Sequence, residues 1–376
     1  MVLRLLLMSI TFCTIALRAQ LIEEVTMMHD GLERTYIIYV PAIYDETSAV
    51  PLVINMHGLG SNANEQMIYG NFTSIADTAN FIVVHPNGTE DGQGQTFWNS
   101  FSSVGVDDVG FLSALIDDVS SQYNIDENCV YSTGMSNGGF MSYYLACNLS
   151  DRIAAIASVT GSMVIGLPES CNAQHPTPIM EIHGTSDGVV PYNGSIISEP
   201  IDDVVDFWVS YNNCNPTAEF SEVPDIVTSD DCTAEHYVYS DGDMGSTVEL
   251  YKVIGGDHSW PGAIININVS NMDFSASKEI WRFFRKYKLD MLTSVSEVVN
   301  PEKMFSIYPN PGNGNYTLSI NTGTSYDLQC YDSTGRLIQS SYGNVSSVEF
   351  SLPEPGLYIV SLSDGVQTER LRVVYE

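Results

Sequence analysis

Basic residues are scarce in this sequence. Of its 376 residues, 14 are lysine or arginine and 46 are aspartate or glutamate, which gives a formal net charge of −32 at pH 7. A surface this acidic repels phosphate backbones and anionic lipids, so nucleic acid and membrane surfaces are disfavoured as partners. Hydrophobic residues make up 44% and aromatic residues 10% of the chain, enough for a sizeable core, so wholesale disorder is excluded. The length suits two domains, or one large domain with an appendage.

Apolar runs long enough to span a bilayer are also lacking. Residues 1–19 carry Arg4 at a positive start, then an apolar stretch, and end on the small residue Ala19. This pattern is typical of a secretory signal peptide, and the apolar stretch is shorter than the ~20 residues of a membrane anchor. We expect cleavage before Gln20 and an exported mature protein that has no membrane span.

The sequence contains no Cys-x-x-Cys motif, and its cysteine spacings fit no zinc site, so we expect no metal. Exported proteins meet an oxidising environment in which cysteines tend to pair. Two of the possible pairs close short loops within one region of the chain. We predict these two bridges, Cys147–Cys171 and Cys214–Cys232, and expect Cys129 and Cys330 to stay free.

Short apolar runs alternate with helical periodicity between Tyr36 and about Leu289. The runs predict strands at Tyr36–Val40, Leu52–Met56, Phe81–His85, Cys129–Thr133, Ile153–Val159, Ile179–His183 and Val248–Ile254. The periodic segments predict helices at Asn64–Ala79, Val109–Tyr123, Gly139–Asn148, Ile201–Tyr211 and Ala276–Lys288. Such alternation is typical of crossover units and a mostly parallel sheet, whose strands need apolar side chains on both faces. The sequence therefore predicts an α/β domain over residues 20–289.

The pattern changes after Leu289. Residues 290–302 are polar and connector-like, and residues 303–376 show short alternating runs with Gly and Asn turns, which predict a small all-β sandwich. The segments FSIYPNPGNGNYTLSI and GLYIVSLSDG, with Arg370 and Arg372 in the last strand, resemble the C-terminal sorting domain of the type IX secretion system of Bacteroidetes. The resemblance implies that type IX machinery is a partner and that the protein reaches the cell surface or the medium. A carbohydrate-binding sandwich is the alternative.

The most specific local signal is the Gly-x-Ser-x-Gly sequence Gly134–Gly138. It lies directly after the predicted strand Cys129–Thr133 and before the predicted helix Gly139–Asn148. A sharp strand-to-helix turn of this kind projects its serine above the sheet, and the flanking glycines let strand and helix pass closely. This pattern indicates a nucleophile elbow with Ser136 as the nucleophile.

A serine of ordinary acidity needs a general base, which in turn needs an orienting carboxylate. In this architecture the chain order is Ser, then Asp or Glu, then His. His258 lies in a loop just after the last strongly apolar strand, and Asp187 follows the strand Ile179–His183 at its carboxyl end. We predict that His258 is the base and Asp187 the acid, although Asp187 would also suit a turn cap beside Gly188.

The other candidates for base and acid fit less well. Asp257 adjoins His258 in the chain, and neighbouring side chains rarely face each other, so we reject it as the acid. We expect a structural role for His183, which ends a strand, and a surface position for His175 and His236, which lie in polar stretches.

An acyl-transfer enzyme also needs two donors aimed at the oxyanion. We predict the backbone N–H groups of Asn137, just after the nucleophile, and of Leu59, in the loop after the strand Leu52–Met56. His57 is more simply a structural residue of the same loop.

Several motifs in one order resemble a secreted branch of the α/β-hydrolases. They are PLVINMHGLG, HPNG, FWN, VDDVGFL, GMSNGG, HGTSDGVVPY and GGDHSWPG. This branch contains poly(3-hydroxybutyrate) depolymerase-like esterases and the feruloyl and acetyl-xylan esterases of carbohydrate esterase family one. The resemblance implies an α/β-hydrolase fold and the catalytic triad Ser136, Asp187 and His258. Asp257 departs from the family pattern, which more often has a small residue there.

The resemblance leaves several substrates open. A feruloyl or acetyl ester of a polysaccharide comes first, followed by a polyester and by general short-chain esters, all cleaved without a cofactor. We predict that Trp98 and Trp260 flank the acyl group, with core packing as the alternative, and that Asp107 and Asp108 cap a helix. A surface binding protein that has lost catalysis is the alternative of another class.

Overall fold

The computed structural model describes residues 20–101, 105–265, 268–293, 305–320, 326–344, 346–363 and 368–376. They form two compact units, which divide after Thr293. The predicted signal peptide at residues 1–19 and the part of the predicted linker from residue 294 onward lie outside the described residues. Within the described part of the chain, no helix is both long enough and apolar enough to cross a membrane.

The first unit alternates strands and helices. Its elements in chain order are β1 (Leu21–His29), β2 (Leu32–Val40), β3 (Val50–Met56), α1 (Ala63–Gly70), α2 (Thr73–Ala79), β4 (Ile82–Pro86), β5 (Thr89–Glu90), β6 (Thr96–Phe97), α3 (Asp108–Gln122), β7 (Ile125–Met135), α4 (Asn137–Asn148), β8 (Ala155–Val159), α5 (Leu167–Ser170), β9 (Ile179–Gly184), α6 (Ile201–Tyr211), β10 (Glu219–Val223), β11 (Thr233–Tyr239), β12 (Val248–Ile254), α7 (Ala276–Phe284) and α8 (Leu289–Thr293).

One large sheet organises this unit. Its strand order is β1-β2-β4-β3-β7-β8-β9-β12-β11-β10. The six inner strands, from β4 to β12, run parallel, whereas β2 and β1 at one edge and β11 and β10 at the other pair antiparallel. The predicted mostly parallel α/β architecture is confirmed.

Helices cover both faces of the sheet, as the continuous apolar strands require. Along β3, Leu52 and Ile54 pack with apolar side chains of α3, α4 and α6, whereas Val53 packs on the opposite face with those of α2 and α7. Because successive side chains of a strand point to opposite faces, one strand can contribute to both core layers.

Helix ends and edge strands differ from the sequence expectation. The helix expected over Asn64–Ala79 is two helices, because Asn71 takes a left-handed conformation with φ 42° and ends α1. Residues 290–293 of the expected connector belong to α8. Strands β1, β10 and β11 were not expected, since their partly exposed positions mix polar and apolar residues.

The second unit is all-β, as expected from its alternating runs. Its strands are β13 (Phe305–Tyr308), β14 (Asn315–Ile320), β15 (Tyr326–Asp332), β16 (Leu337–Gly343), β17 (Ser347–Ser351), β18 (Gly356–Ser363) and β19 (Thr368–Tyr375). They pair antiparallel in two sheets, β13-β14-β17 and β16-β15-β18-β19. Side chains from both sheets, among them Leu318 and Leu362, share one apolar core.

One of the two expected disulfides is present. Cys147 in α4 is bonded to Cys171, and Cys129 and Cys330 are free, as predicted. The expected Cys214–Cys232 bridge is wrong, because both thiols are free.

The thiols of Cys214 and Cys232 lie near opposite ends of β12. Cys214 Sγ lies 3.8 Å from the Ser246 carbonyl, just before β12, whereas Cys232 precedes Thr233, the partner of the last β12 residue, Ile254. The length of β12 therefore separates them by ~20 Å, far beyond the ~7 Å that a disulfide allows between Cα atoms.

This cysteine arrangement predicts a labelling pattern. Alkylation of the unfolded, unreduced protein should modify Cys129, Cys214, Cys232 and Cys330, and peptide mass mapping should recover Cys147 and Cys171 as one linked peptide. Prior reduction is the control and should expose all six thiols. A linked peptide containing Cys214 and Cys232 would contradict the structure.

Candidate active site

Ser136 occupies a strained turn between β7 and α4. Its φ of 53° and ψ of −118° lie in a region that non-glycine residues rarely adopt. Glycines make the turn possible: a Cβ at Gly134 would lie 2.6 Å from the Gly138 carbonyl carbon, and a Cβ at Gly138 would lie 2.3 Å from the Met56 carbonyl oxygen. The backbone N–H of Ser136 donates to the Val159 carbonyl at 2.9 Å, which fixes the turn to β8. This geometry is that of the nucleophile elbow that the sequence predicted.

Asp187 and His258 meet beyond the carboxyl ends of β9 and β12. The Nδ1 atom of His258 lies 2.7 Å from Asp187 Oδ2. The other carboxylate oxygen of Asp187 accepts the backbone N–H groups of Val189 and Val190, both at 2.8 Å. Burial alone would raise the pKa of Asp187, but the hydrogen bond and charge of His258 and the bond from Val190 lower it below its ordinary value. Asp187 is therefore an ionised group that holds the ring of His258.

Asp257 faces away from this contact. Its Oδ1 accepts the backbone N–H of His258 at 2.8 Å, so it caps the loop and does not touch the imidazole. His175, expected at the surface, is instead buried, and Nε2 of its ring lies 2.7 Å from the Ser150 carbonyl. The polar sequence around His175 concealed this internal role. His236 is partly buried and is paired with Glu249 at 3.0 Å.

Ser136 and His258 line one pocket of about 570 Å³. Such a volume is typical of a small-molecule site. The remaining wall residues, most of them apolar, are Gly58, Leu59, Ser61, Glu65, Gln66, Ile68, Tyr69, Met135, Val189, Ile265 and Asn268. The fold thus brings the candidate nucleophile and the candidate base, with Asp187 behind it, to one apolar cavity.

The predicted oxyanion donors flank the serine. Asn137 begins α4 directly after Ser136, and Leu59 lines the pocket beside Gly58, whose added Cβ would lie 3.4 Å from Ser136 Cβ. Within the described residues, neither the Leu59 nor the Asn137 backbone N–H has an acceptor inside the protein. Both groups are therefore available to a bound oxygen atom.

His57 sets the direction of the Leu59 donor. Its Nε2 accepts the Gly88 N–H at 2.9 Å, so its Nδ1 carries the proton and donates to the Gly58 carbonyl at 2.7 Å. In a trans peptide the carbonyl and the following N–H point in opposite directions. The pinned Gly58 carbonyl therefore turns the Leu59 N–H away from the His57 ring. Burial lowers the pKa of His57, which favours this neutral form.

Trp98 and Trp260 are buried, and the expectation that they contact substrate is corrected. Their exposures are 0% and 1%, and neither lines the pocket. The Trp98 Nε1–H donates to the His57 carbonyl at 3.0 Å. The Trp260 ring packs against the Tyr69 ring, and the Tyr69 hydroxyl accepts the backbone N–H of Trp260 at 3.0 Å. Both rings support the pocket wall from behind.

Of the two acidic residues at the start of α3, one caps the helix. Asp107 accepts the Gly110 N–H at 2.8 Å, as expected of a cap. Asp108 is instead buried, paired with Arg34 at 2.7 Å and bonded to the Asn99 N–H at 2.8 Å. The expectation of capping is wrong for Asp108, because its carboxylate anchors the loop that follows Trp98.

The sequence did not reveal the apolar pocket wall. Ile68 and Tyr69 on α1 and Val189 and Ile265 in loops reach the pocket from distant parts of the chain. A local signal was Val189, an apolar residue two positions after Asp187 in a loop that begins with polar residues.

One group of side chains could share a metal ion. Ligand atoms of His29, Asp30 and Asp107 lie within 4.8 Å of one another, and both aspartates are exposed. None of the three lines the pocket.

Comparison with known proteins gives a family match within each of the two units. Residues 42–205 match the phospholipase/carboxylesterase family model, and residues 306–376 match the model of a secretion system C-terminal sorting domain. The fold is also that of an acetyl xylan esterase from Aspergillus awamori, at a TM-score of 0.54 and 14% identity over 70% of this chain and 98% of that one. The first unit has the fold of the α/β-hydrolases. The second unit resembles a sorting domain over the residues that match that model.

Two curated relatives of this chain are named as esterases. A probable feruloyl esterase C from Aspergillus clavatus is 34% identical over 43% of this chain and 58% of its own length. A bifunctional acetylxylan esterase/xylanase from Neocallimastix patriciarum is 27% identical over 71% of this chain and 35% of its own length. The chain thus spans between about a third and three fifths of these two relatives.

Proposed function

We propose that this hydrolase is a secreted serine esterase that cleaves carboxylic esters through Ser136, His258 and Asp187. The observation that carries the proposal is the 2.7 Å contact between Asp187 and His258, with His258 and the strained Ser136 on the wall of one apolar pocket. The similarity to feruloyl and acetylxylan esterases supports the same chemistry.

The arrangement performs ester hydrolysis in two steps. Ser136 Oγ attacks the ester carbonyl carbon while His258 Nε2 takes its proton, and the N–H groups of Leu59 and Asn137 stabilise the oxyanion. The carbon–oxygen bond to the alcohol then breaks, and the alcohol leaves with the proton from His258. Water, deprotonated by His258, attacks the acyl-enzyme, and the acid departs as Ser136 recovers its proton. Asp187 holds the imidazole and stabilises its cationic form throughout.

Replacing the nucleophile tests the mechanism. Ser136→Ala should lower kcat on a chromogenic short-chain ester by roughly 10⁶-fold, to background, because no group can form the acyl-enzyme. The variant should keep the wild-type circular dichroism spectrum. A fluorophosphonate probe should label the wild type and the surface control Ser121→Ala, but not Ser136→Ala. Near-normal turnover by Ser136→Ala would contradict the mechanism, and an unlabelled wild type would favour a binding protein.

The pocket favours a bulky aromatic acyl group. An acetyl group fills a small part of about 570 Å³, whereas a hydroxycinnamoyl group can contact Leu59, Ile68 and Val189 together. We therefore assign feruloyl-type esters of a polysaccharide as the preferred substrate, ahead of acetyl esters and of polyester.

The pocket wall provides a test of this assignment. Val189→Ser should raise KM for methyl ferulate about 5- to 10-fold, the equivalent of ~1–1.5 kcal/mol of lost apolar contact, and leave 4-nitrophenyl acetate turnover nearly unchanged. The backbone N–H that binds Asp187 is retained. The control is Ile196→Ser, since Ile196 is 96% exposed and does not line the pocket. Faster release of hydroxybutyrate from polymer film than of ferulate from methyl ferulate would overturn the assignment in favour of a polyester depolymerase.

We further propose that the sorting domain directs export through the type IX secretion system. Support comes from the family match over residues 306–376 and from the two antiparallel sheets that those residues form.

Removing the sorting domain tests its role. In a type IX-competent host, a chain ending after residue 293 should accumulate inside the outer membrane, whereas the full chain should reach the surface or medium. Fractionation and immunoblotting measure the distribution, and Ser136→Ala in the full chain is the control for export without activity. Export of the shortened chain at the full-length level would contradict the proposal.

A further inference from the structure

A buried histidine lies directly behind the proposed triad. His183, the residue before the end of β9, is completely buried, as is the Glu181 carboxylate two residues earlier. The Nδ1 atom of His183 lies 2.9 Å from Glu181 Oε1, and its Nε2 atom lies 2.8 Å from the Val190 carbonyl and 3.5 Å from Asp187 Oδ2. The ester-cleavage steps described above do not use this histidine.

The contacts of His183 fix one ring proton on Nε2 and place a second proton between Nδ1 and Glu181. A carbonyl oxygen can only accept, so Nε2 carries a proton and donates it to Val190. Nδ1 faces a carboxylate, and the second oxygen of that carboxylate receives a hydrogen bond from the Tyr143 hydroxyl at 2.8 Å. An ionised Glu181 accepts from both sides, which makes Nδ1 a donor as well and the ring an imidazolium. Burial raises the pKa of Glu181, whereas the hydrogen bond and charge of His183 lower it.

The surroundings favour this charge. Burial opposes protonation, but the hydrogen bond and charge of Glu181 and the bond to Val190 outweigh it and raise the pKa of His183 above its ordinary value. The second carboxylate, on Asp187, lies on the Nε2 side. Tyr192 packs edge-on against the His183 ring, and its hydroxyl donates to Asp202. Lys252 places its Nζ over the Tyr192 ring. His258 is the next ionisable group beyond Asp187.

We propose that Glu181 and His183 form a permanently charged pair that positions Asp187 and adjusts the basicity of His258. Two contacts carry the positioning role. His183 holds the Val190 carbonyl, and the Val190 N–H in turn holds Asp187 Oδ1. The turn that bears the acid is thereby fixed to β9.

The electrostatic role follows from the direction of the pair. Its positive end faces Asp187, whose Oδ2 lies 3.5 Å from His183 Nε2 and 2.7 Å from His258 Nδ1. A positive charge on His183 stabilises the ionised Asp187 and disfavours a second positive charge on His258. The inference rests on the proposed function insofar as His258 is the catalytic base, whereas the charge on His183 is independent of it.

Glu181→Gln removes the charge and preserves the contacts. The amide NH₂ can donate to His183 Nδ1, the amide oxygen can accept from Tyr143, and a neutral His183 still donates from Nε2 to Val190. The acid limb of kcat/KM against pH reports the ionisation of the free enzyme's base. In Glu181→Gln we expect the midpoint of this acid limb to move to higher pH by about half a pH unit or more, because the positive charge on His183 no longer opposes protonation of His258.

A matched control separates charge from stability. Glu249→Gln changes another fully buried glutamate that is paired with a histidine, His236, but lies outside the pocket. Both variants should lower Tm, whereas Glu181→Gln alone should move the acid limb. An unmoved acid limb in folded Glu181→Gln overturns the electrostatic role.

Nuclear magnetic resonance of the wild type gives the decisive second measurement, which does not require a folded variant. In ¹⁵N-histidine-labelled wild-type protein, with the His183 ring assigned through its contact with Tyr192, both His183 ring nitrogens should show protonated shifts from pH 5 to pH 8. A neutral ring, with one unprotonated nitrogen, overturns the proposal. Full activity of Ser136→Ala would refute the triad while leaving this resonance unchanged, so the two failures are distinguishable.

Discussion

The close approach of α4 to the end of β3 is the constraint on which the site depends. No side chain fits between the two at Gly138, since its Cβ would overlap the Met56 carbonyl. This proximity places Ser136 beside the loop that follows Met56, and that loop carries the candidate oxyanion donor of Leu59. The strained backbone at Ser136 is therefore maintained by packing that also assembles the rest of the site.

A buried hydrogen-bond network joins the two candidate oxyanion donors. The Asn137 side chain binds both polar groups of the Trp98 backbone. Its Oδ1 accepts the Trp98 N–H at 2.6 Å, and its Nδ2 donates to the Trp98 carbonyl at 3.1 Å. The Trp98 indole in turn donates to the His57 carbonyl. Because His57 orients the Gly58–Leu59 peptide, one tryptophan links both donors. Its burial, which rules out substrate contact, is what enables this role.

The sequence was informative where one physical demand dominates a segment. Strands covered on both faces need continuous apolar residues, and the turn at Ser136 needs Gly134 and Gly138. Each requirement is visible in a short stretch of sequence, so β3, β7 and the turn between β7 and α4 could be predicted. Edge strands such as β10 lack such a pattern because one side of each is solvated. Contacts between distant segments leave no local trace either. The length of the loop between Cys214 and Cys232 could not show that β12 separates them. The sequence around a tryptophan such as Trp98 is also the same whether its side chain lines the pocket or lies buried behind the pocket wall.

Charge distribution links the site to the acidic composition of the chain. A neutral ester meets little electrostatic resistance on approaching a protein of net charge −32. Under the proposed function, hydrolysis releases a carboxylate into a pocket whose wall includes Glu65 and whose candidate base contacts the ionised Asp187. Like charges repel the product from a cavity with low-dielectric walls. The acidic composition thus suits the proposed reaction, which converts a neutral ester into an anion, because the charge created in the last step favours product release.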